Sequence, residues 1–186
     1  MVAVHSNMFP LGKQAPTFSL LEVTSRQIRS LQELKGSKAT VIMFICNHCP
    51  YVKHVNAELV KLYNDYSSQG ISFIAISSND VEKYPDDSPE QMALTAKEVG
   101  YQFPYLYDET QDVARSYEAA CTPDFYIFDE KLACIYRGQL DDSRPKNETP
   151  VTGADVRAAL DQLLAGQAIN PEQKPSLGCN IKWKEN

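Results

Sequence analysis

Residues 39–78 constrain the fold more than any other stretch of this chain. ATVIMFI (39–45) is a continuous β-branched and apolar run of strand length, the pattern of a strand buried on both faces of a sheet. After Pro50 the period changes. Val52, Val55, Leu59, Leu62, Tyr63 and Tyr66 recur at three- and four-residue steps while Lys53, Glu58, Lys61 and Asp65 point elsewhere, which predicts an amphipathic helix. Gly70 ends it, and ISFIAISS (71–78) is a second buried run. Strand, helix and strand in this order form a βαβ unit, so the chain reads as an α/β protein.

The remaining segments attach to that unit. PTFSLLEV (16–23) and IRSL (28–31) read as two short strands, an N-terminal β-hairpin before the turn-like LKGSK. Residues 88–99 read as a helix with Ser88 as N-cap, Pro89 at the first helical position and Gly100 beyond the end. A short helix follows near 111–119, then DFYIFD (124–129) and LACIYRG (132–138) form a hairpin turning on Glu130-Lys131. A last helix covers 153–164, and a Pro-containing tail completes the chain. There is no internal repeat or low-complexity tract. A chain of 186 residues suits one domain that buries a core without disulfide staples.

No apolar stretch approaches the ~20 residues of a membrane span. The start, MVAVHSNMFPLGKQAP, lacks the basic and apolar regions of a secretory signal. The expectation is therefore a cytoplasmic protein without a membrane partner. A net charge of −6 argues against sequence-independent nucleic-acid binding, which needs clustered Lys and Arg. In a reducing compartment, two closely spaced cysteines read as catalytic or metal-binding rather than structural.

Those cysteines are Cys46 and Cys49 in CNHCP (46–50), where the first buried strand meets the helix. The first N–H groups of a helix are unpaired and partially positive, so a sulfur there has its thiolate favoured. Pro50 fits the first helical position and puts Cys49 at the N-cap, with Cys46 on the strand side. A fall in pKa from ~8.5 to ~6.5 would raise the thiolate fraction at pH 7 from roughly 3% to about 75%. Cys49 is thus the expected nucleophile. His48 reads either as a nearby cation or proton shuttle or as a solvated loop residue, and Lys53 as an electrostatic support for Cys49 or an ordinary exposed lysine. His54 reads as surface, Cys121 and Cys134 as inert buried thiols, and residues 141–144 as a solvated loop. Thr122-Pro123 precedes a strand, where an X-Pro bond can be cis. In GCNIKW (178–183), Cys179, Ile181 and Trp183 alternate with polar residues, an extended segment that covers a sheet edge or brings Cys179 to the dithiol as a third thiol. Cys46, His48 and Cys49 are donors that suit Cu(I) or zinc, yet no second paired cluster completes a four-ligand zinc site, and the expectation is no metal and no cofactor.

The order of elements, CNHCPYVKHV, TPDFYIFD followed by YRG, RGQLDDSRP and the GCNIKW tail together resemble the thioredoxin-like superfamily. Within it the chain looks like the alkyl-hydroperoxide-reductase and thiol-specific-antioxidant (AhpC/TSA, redoxin) branch, in a subgroup marked by CNHCP. The resemblance covers residues 8–165 and implies a thioredoxin-like fold with a central mixed β-sheet flanked by helices. Residues 166–186 are then an extended C-terminal tail packed on the domain. It also implies that Thr122-Pro123 is a cis-proline loop facing the dithiol.

The register departs from the family in two ways. Cys49 takes the thioredoxin nucleophile position, while Val52 stands where the resolving cysteine belongs and Met43 where the buried acid belongs. Against peroxiredoxins, Cys46 replaces the activating Thr or Ser, and the activating Arg position falls near Pro123, leaving Arg115, Arg137 or Arg144 as substitutes. The resemblance therefore implies an oxidoreductase in which Cys49 attacks a protein or small-molecule disulfide and Cys46, or else Cys179, resolves it, with an external dithiol as reductant. The alternative is a peroxidase of antioxidant type in which Cys49 is oxidised by peroxide, and the third reading is a metal-binding module.

Overall fold

A computed structural model describes residues 2–185 of the chain. In chain order the elements are β1 (Ala3–His5), β2 (Ser19–Glu22), β3 (Gln27–Ser30), α1 (Leu31–Leu34), β4 (Ala39–Phe44), α2 (Pro50–Tyr66), β5 (Ile71–Ser77) and α3 (Pro89–Val99). They continue with β6 (Tyr105–Tyr107), α4 (Asp112–Ser116), β7 (Cys121–Thr122), β8 (Asp124–Asp129), β9 (Cys134–Gly138), α5 (Ala154–Leu164) and β10 (Leu177–Asn180). The main sheet has the order β3-β2-β6-β5-β4-β8-β9, and a smaller one has the order β1-β10-β7. β4, β5 and β6 run parallel while β2, β3, β8 and β9 join antiparallel, so the main sheet is mixed.

β4 lies inside the sheet between β5 and β8, and all six of its residues are buried. Its side chains alternate between two apolar layers, as the pleat requires. Val41 and Met43 meet Val52, Val55 and Leu59 of α2 with Val156 and Leu160 of α5, whereas Ile42 and Phe44 meet Phe9, Tyr117, Tyr126 and Phe128. Tyr117 stands at the centre of this second layer, with its ring centroid 5.7–6.0 Å from those of Phe9, Phe44, Tyr126 and Phe128. Burying each such ring contributes roughly 1.5–3 kcal/mol.

The helix termini follow their sequence signals. Cys49 is the N-cap of α2 and Pro50 its first residue. Ser88 caps α3 by accepting from the Gln91 N–H at 3.4 Å, and Gly100 ends it in the left-handed region at φ 85°.

Tertiary contacts alter the picture elsewhere. Residue 31, read as the end of a strand, begins α1, because Ser30 and Glu33 form a capping box. β1, β6 and β7 are strands of two or three residues that owe their existence to their partners, and β1 gives His5 an ordered place beside Leu177. The 141–144 segment is not a solvated loop. Asp141 is buried, and its carboxylate accepts from the Ser143 N–H and Oγ and from the N–H groups of Thr152 and Gly153 at 2.5–2.9 Å. Glu58, on the polar side of the helical pattern, is also buried, because Arg157 of α5 donates to it at 2.7 and 3.0 Å.

Candidate active site

The site forms where β4 ends, α2 begins and β7 passes. Cys49 Sγ lies 3.2 Å from the Thr122 carbonyl oxygen, and Cys46 Sγ lies 3.5 Å from Thr122 Oγ1. The Thr122-Pro123 peptide bond is cis. Residue 179 is the register partner of Thr122 in the β10–β7 pair, so the C-terminal strand lies across the site. Cys46, Cys49 and Cys179 share one apolar cluster and are 2%, 0% and 3% exposed. Among the described residues all five cysteines are free thiols.

The electrostatics single out Cys49. Neighbouring thiols of Cys179 and then Cys46, followed by the Thr122 side chain and the Val52 N–H, hold its pKa well below the usual thiol value against the opposing effect of burial. Its neighbours move the other way. Cys46 is raised by the adjacent Cys49, by burial and by the Asp87 charge; Cys179 is raised by Cys49 and by burial. A negative charge on this trio therefore resides on Cys49, which the start of α2 also favours.

The CNHCP loop is held by a residue that sequence reasoning missed. Asp87 is fully buried and accepts the N–H groups of Asn47 at 2.8 Å and His48 at 3.2 Å on one oxygen. On the other it accepts Asn79 Nδ2 at 2.7 Å and meets His48 Nδ1 at 2.5 Å. Burial alone would raise the Asp87 pKa, but the bonds from His48, Asn79 and Asn47 prevail and keep it below the ordinary carboxylate range. A carboxylate only accepts, so His48 Nδ1 is the donor in this contact. The ring also stacks on Tyr84 with centroids 5.4 Å apart, and its Nε2 is buried without a partner. The only sequence hint of Asp87 was acidity just ahead of the Ser88 cap, which reads as an ordinary helix start.

The other candidates fall at varying distances from the sulfurs. Lys53 is exposed and, with Asn47, His48 and Asp86, lines a polar cleft of about 310 Å³ beside the loop. Arg144 donates to Gln139 Oε1 and to the carbonyls of Asp141 and Ser143 at 2.5–2.7 Å, which ties it to its own loop. Arg137 donates to Gln173, and Arg115 lies over the Trp183 ring at 4.5 Å. His54 is half-buried rather than at the surface, with its Nε2 enclosed and unpartnered. Cys121 and Cys134 are buried, with sulfurs 3.9 and 3.5 Å from backbone carbonyls, and burial raises both thiols. Cys46, His48 and Asp87 each bring one donor atom within 4.8 Å of the others, a set one short of the four ligands of a structural zinc.

A parallel core extended by antiparallel edges, with a cysteine pair at the strand-to-helix junction facing a cis-proline, defines a thioredoxin-like redox protein. The AhpC/TSA family model matches residues 11–136, and the chain belongs to that family. Over 119 residues it is 27% identical to the thiol-disulfide oxidoreductase ResA of Halalkalibacterium halodurans, a match that spans 64% of this chain and 62% of that protein. The crystal structure of an uncharacterized conserved protein from Geobacillus kaustophilus superposes with a TM-score of 0.98 at 64% identity, covering 100% of this chain and 98% of that one. The thioredoxin domain of a thiol-disulfide oxidoreductase from Bacteroides vulgatus shares the fold at 19% identity and a TM-score of 0.59, over 69% of this chain and 87% of that one.

Proposed function

We propose that the protein is a thiol-disulfide oxidoreductase in which Cys49 is the attacking sulfur and the Cys46–Cys49 disulfide the final oxidised state. The observation that carries this reading is the position of Cys49. It caps α2 between two other thiols and is the one cysteine whose surroundings stabilise a thiolate. Cys49 attacks a disulfide of a protein or small molecule, the first substrate thiolate leaves, and a second thiol of the site releases the other half. An external dithiol then reduces the protein. The Asp87–His48 pair fixes the loop that carries both cysteines.

The arginines favour this reading over the peroxidase alternative. Peroxide reduction needs donors that stabilise the departing oxygen, and the guanidinium groups of Arg137 and Arg144 are already engaged by Gln173 and Gln139 while that of Arg115 lies over Trp183. The test is to reduce the protein fully and compare its second-order rates with oxidised glutathione and with hydrogen peroxide, each alongside Cys49→Ser. Disulfide exchange lost in Cys49→Ser, with peroxide consumption no faster than an ordinary thiolate, supports the proposal. Rapid peroxide turnover at Cys49 would overturn it in favour of the peroxidase.

A further inference from the structure

Cys49 is fully buried, and the chain's own C-terminal segment passes beside it, with Cys179 in the same apolar cluster. β10 is clasped on both sides of the site. Before it, Ser176 Oγ donates to the Gly138 carbonyl at 2.5 Å, and Ser6 accepts the Ser176 N–H at 2.9 Å. After it, the Lys182 N–H donates to Asn79 Oδ1 at 2.8 Å, while the Lys182 carbonyl accepts from the Asp80 N–H and from Gln111 Nε2, both at 2.8 Å. Between these anchors β10 pairs with β7 at Cys179↔Thr122 and Asn180↔Cys121. Gly178 passes so close that a Cβ there would overlap the Thr122 carbonyl oxygen. A segment passing there needs no sulfur to exclude water, yet here the residue opposite Thr122 is a cysteine, and its thiol stands next to Cys49.

The geometry assigns the first resolving step to Cys179: the C-terminal strand is a tethered strap that delivers its own thiol onto the mixed disulfide at Cys49. This rests on the reading of Cys49 as the attacking sulfur. A substrate reaches Cys49 only when β10 parts from β7. The anchors at Ser176 and Lys182 keep the strap at high local concentration, so it re-pairs once the first substrate thiol has left.

Cys49 thiolate attacks R–S–S–R′, the substrate S–S bond breaks, and R′S⁻ leaves and takes up a proton. As β10 re-pairs, Cys179 gives up its proton and its sulfur attacks Cys49 Sγ, forming the Cys49–Cys179 disulfide and releasing R as its thiol. Cys46 then attacks Cys49 Sγ, and its proton passes to the departing Cys179, leaving the Cys46–Cys49 disulfide. One substrate disulfide has become two thiols and one dithiol of the protein has been oxidised, which the external dithiol reverses. Cys179 thus stands between substrate and resting pair in the sequence of exchanges.

The experiment mixes the reduced wild-type protein with oxidised glutathione, quenches with acid at intervals, alkylates the remaining thiols and maps disulfides by mass spectrometry. A Cys49–glutathione adduct, followed by Cys49–Cys179 and then by Cys46–Cys49, is the expected order. Cys46→Ser should stop at Cys49–Cys179, and Cys179→Ser should slow loss of the glutathione adduct at least about tenfold. The inference is overturned if the wild-type adduct passes directly to Cys46–Cys49 with no Cys49–Cys179 disulfide before it, and Cys46→Ser should then retain its glutathione. The wild-type series decides this without relying on a variant that folds. Absence of any adduct at Cys49 would overturn the functional reading as well, so the two failures are distinguishable.

Discussion

Cys49 and Asp87 on one face of the central sheet and Cys134 and Asp124 on the other are all buried, and the two pairs are treated in opposite ways. On the face covered by α2 and α5, the Cys49 thiol is held down and Asp87 stays ionised. The opposite face takes in Cys134, pushed up to about 12 by burial, and Asp124, next to its Tyr126, is raised to about 7 by burial. All four residues are about equally hidden, each 1% exposed or less. The difference lies in the groups that surround them. Both sulfurs meet a backbone carbonyl, Cys49 at 3.2 Å and Cys134 at 3.5 Å, but Cys49 also has two thiols, a hydroxyl and a helix N–H around it. Asp87 takes bonds from two backbone N–H groups, an amide and an imidazole, while Asp124 accepts the Phe125 N–H at 3.1 Å and the Tyr126 hydroxyl at 2.9 Å with its further Ser176 contact. Burial sets the cost of a charge and the donors decide whether it is met.

The sharpest way to break this comparison is to remove the favoured sulfur. Cys49→Ser should lower disulfide exchange by at least about a hundredfold, since a serine hydroxyl is not ionised here and no other thiol has a stabilised anion. Retained exchange in Cys49→Ser would move the reactive sulfur to Cys46 or Cys179 and end the contrast as drawn.

Next in size is a change that leaves every sulfur in place. Gly178→Ala puts a methyl group into the Thr122 carbonyl, which forces β10 off β7. Iodoacetamide should then modify Cys49 roughly tenfold faster than in the wild type, because the strap beside it pairs less tightly. Cys134, under the other layer, should remain unmodified in both proteins. Equal protection of Cys49 in Gly178→Ala would mean that the strap does not control access.

A third prediction concerns the carboxylates and has a definite sign. Asp124 keeps its proton up to about pH 7 in the folded chain, whereas an unfolded aspartate loses it near ~3.9. Between these values the folded state binds more protons, so stability falls as pH rises from about 4 to about 7. Asp124→Asn keeps the shape and removes the titration, and should flatten that slope by an amount on the order of a few kcal/mol. Denaturant melts at stepped pH read it directly. Asp87 acts with the opposite sign: its lowered pKa contributes stability that is present above the unfolded value near ~3.9 and is lost as pH falls further. A wild-type slope unchanged in Asp124→Asn would place the titration elsewhere.

Much of this contrast was legible in the chain, and the illegible part has a physical origin. β4, α2 and β5 declare themselves because each is long enough for its period to show, and Pro50 places Cys49 at the N-cap without any tertiary information. Asp87 could not be seen, because its partners Asn47, His48 and Asn79 converge on it only once the sheet has brought two loops together. The landing place of Cys179 was open for the same reason, since a two-position pairing with β7 has no period to read. Glu58 and Asp141 looked solvated because each is buried only in company with donors distant in sequence.

The smallest expected effect bears on the other cysteine. Cys134 is 1% exposed at the start of β9, and its sulfur sits 3.5 Å from the Tyr136 carbonyl, so its contribution is that of a small apolar side chain with a weak donor. Cys134→Ala should leave disulfide exchange at the wild-type rate and lower stability by about 1 kcal/mol, read from a denaturant midpoint at unchanged slope. A fall in exchange would show that the two faces communicate through β8, which carries Phe125 and Ile127 toward the thiols and Tyr126 and Phe128 toward Cys134. An unchanged rate together with the small loss of stability would leave the donors around each sulfur, and not its depth, as the property that separates a reactive cysteine from an inert one.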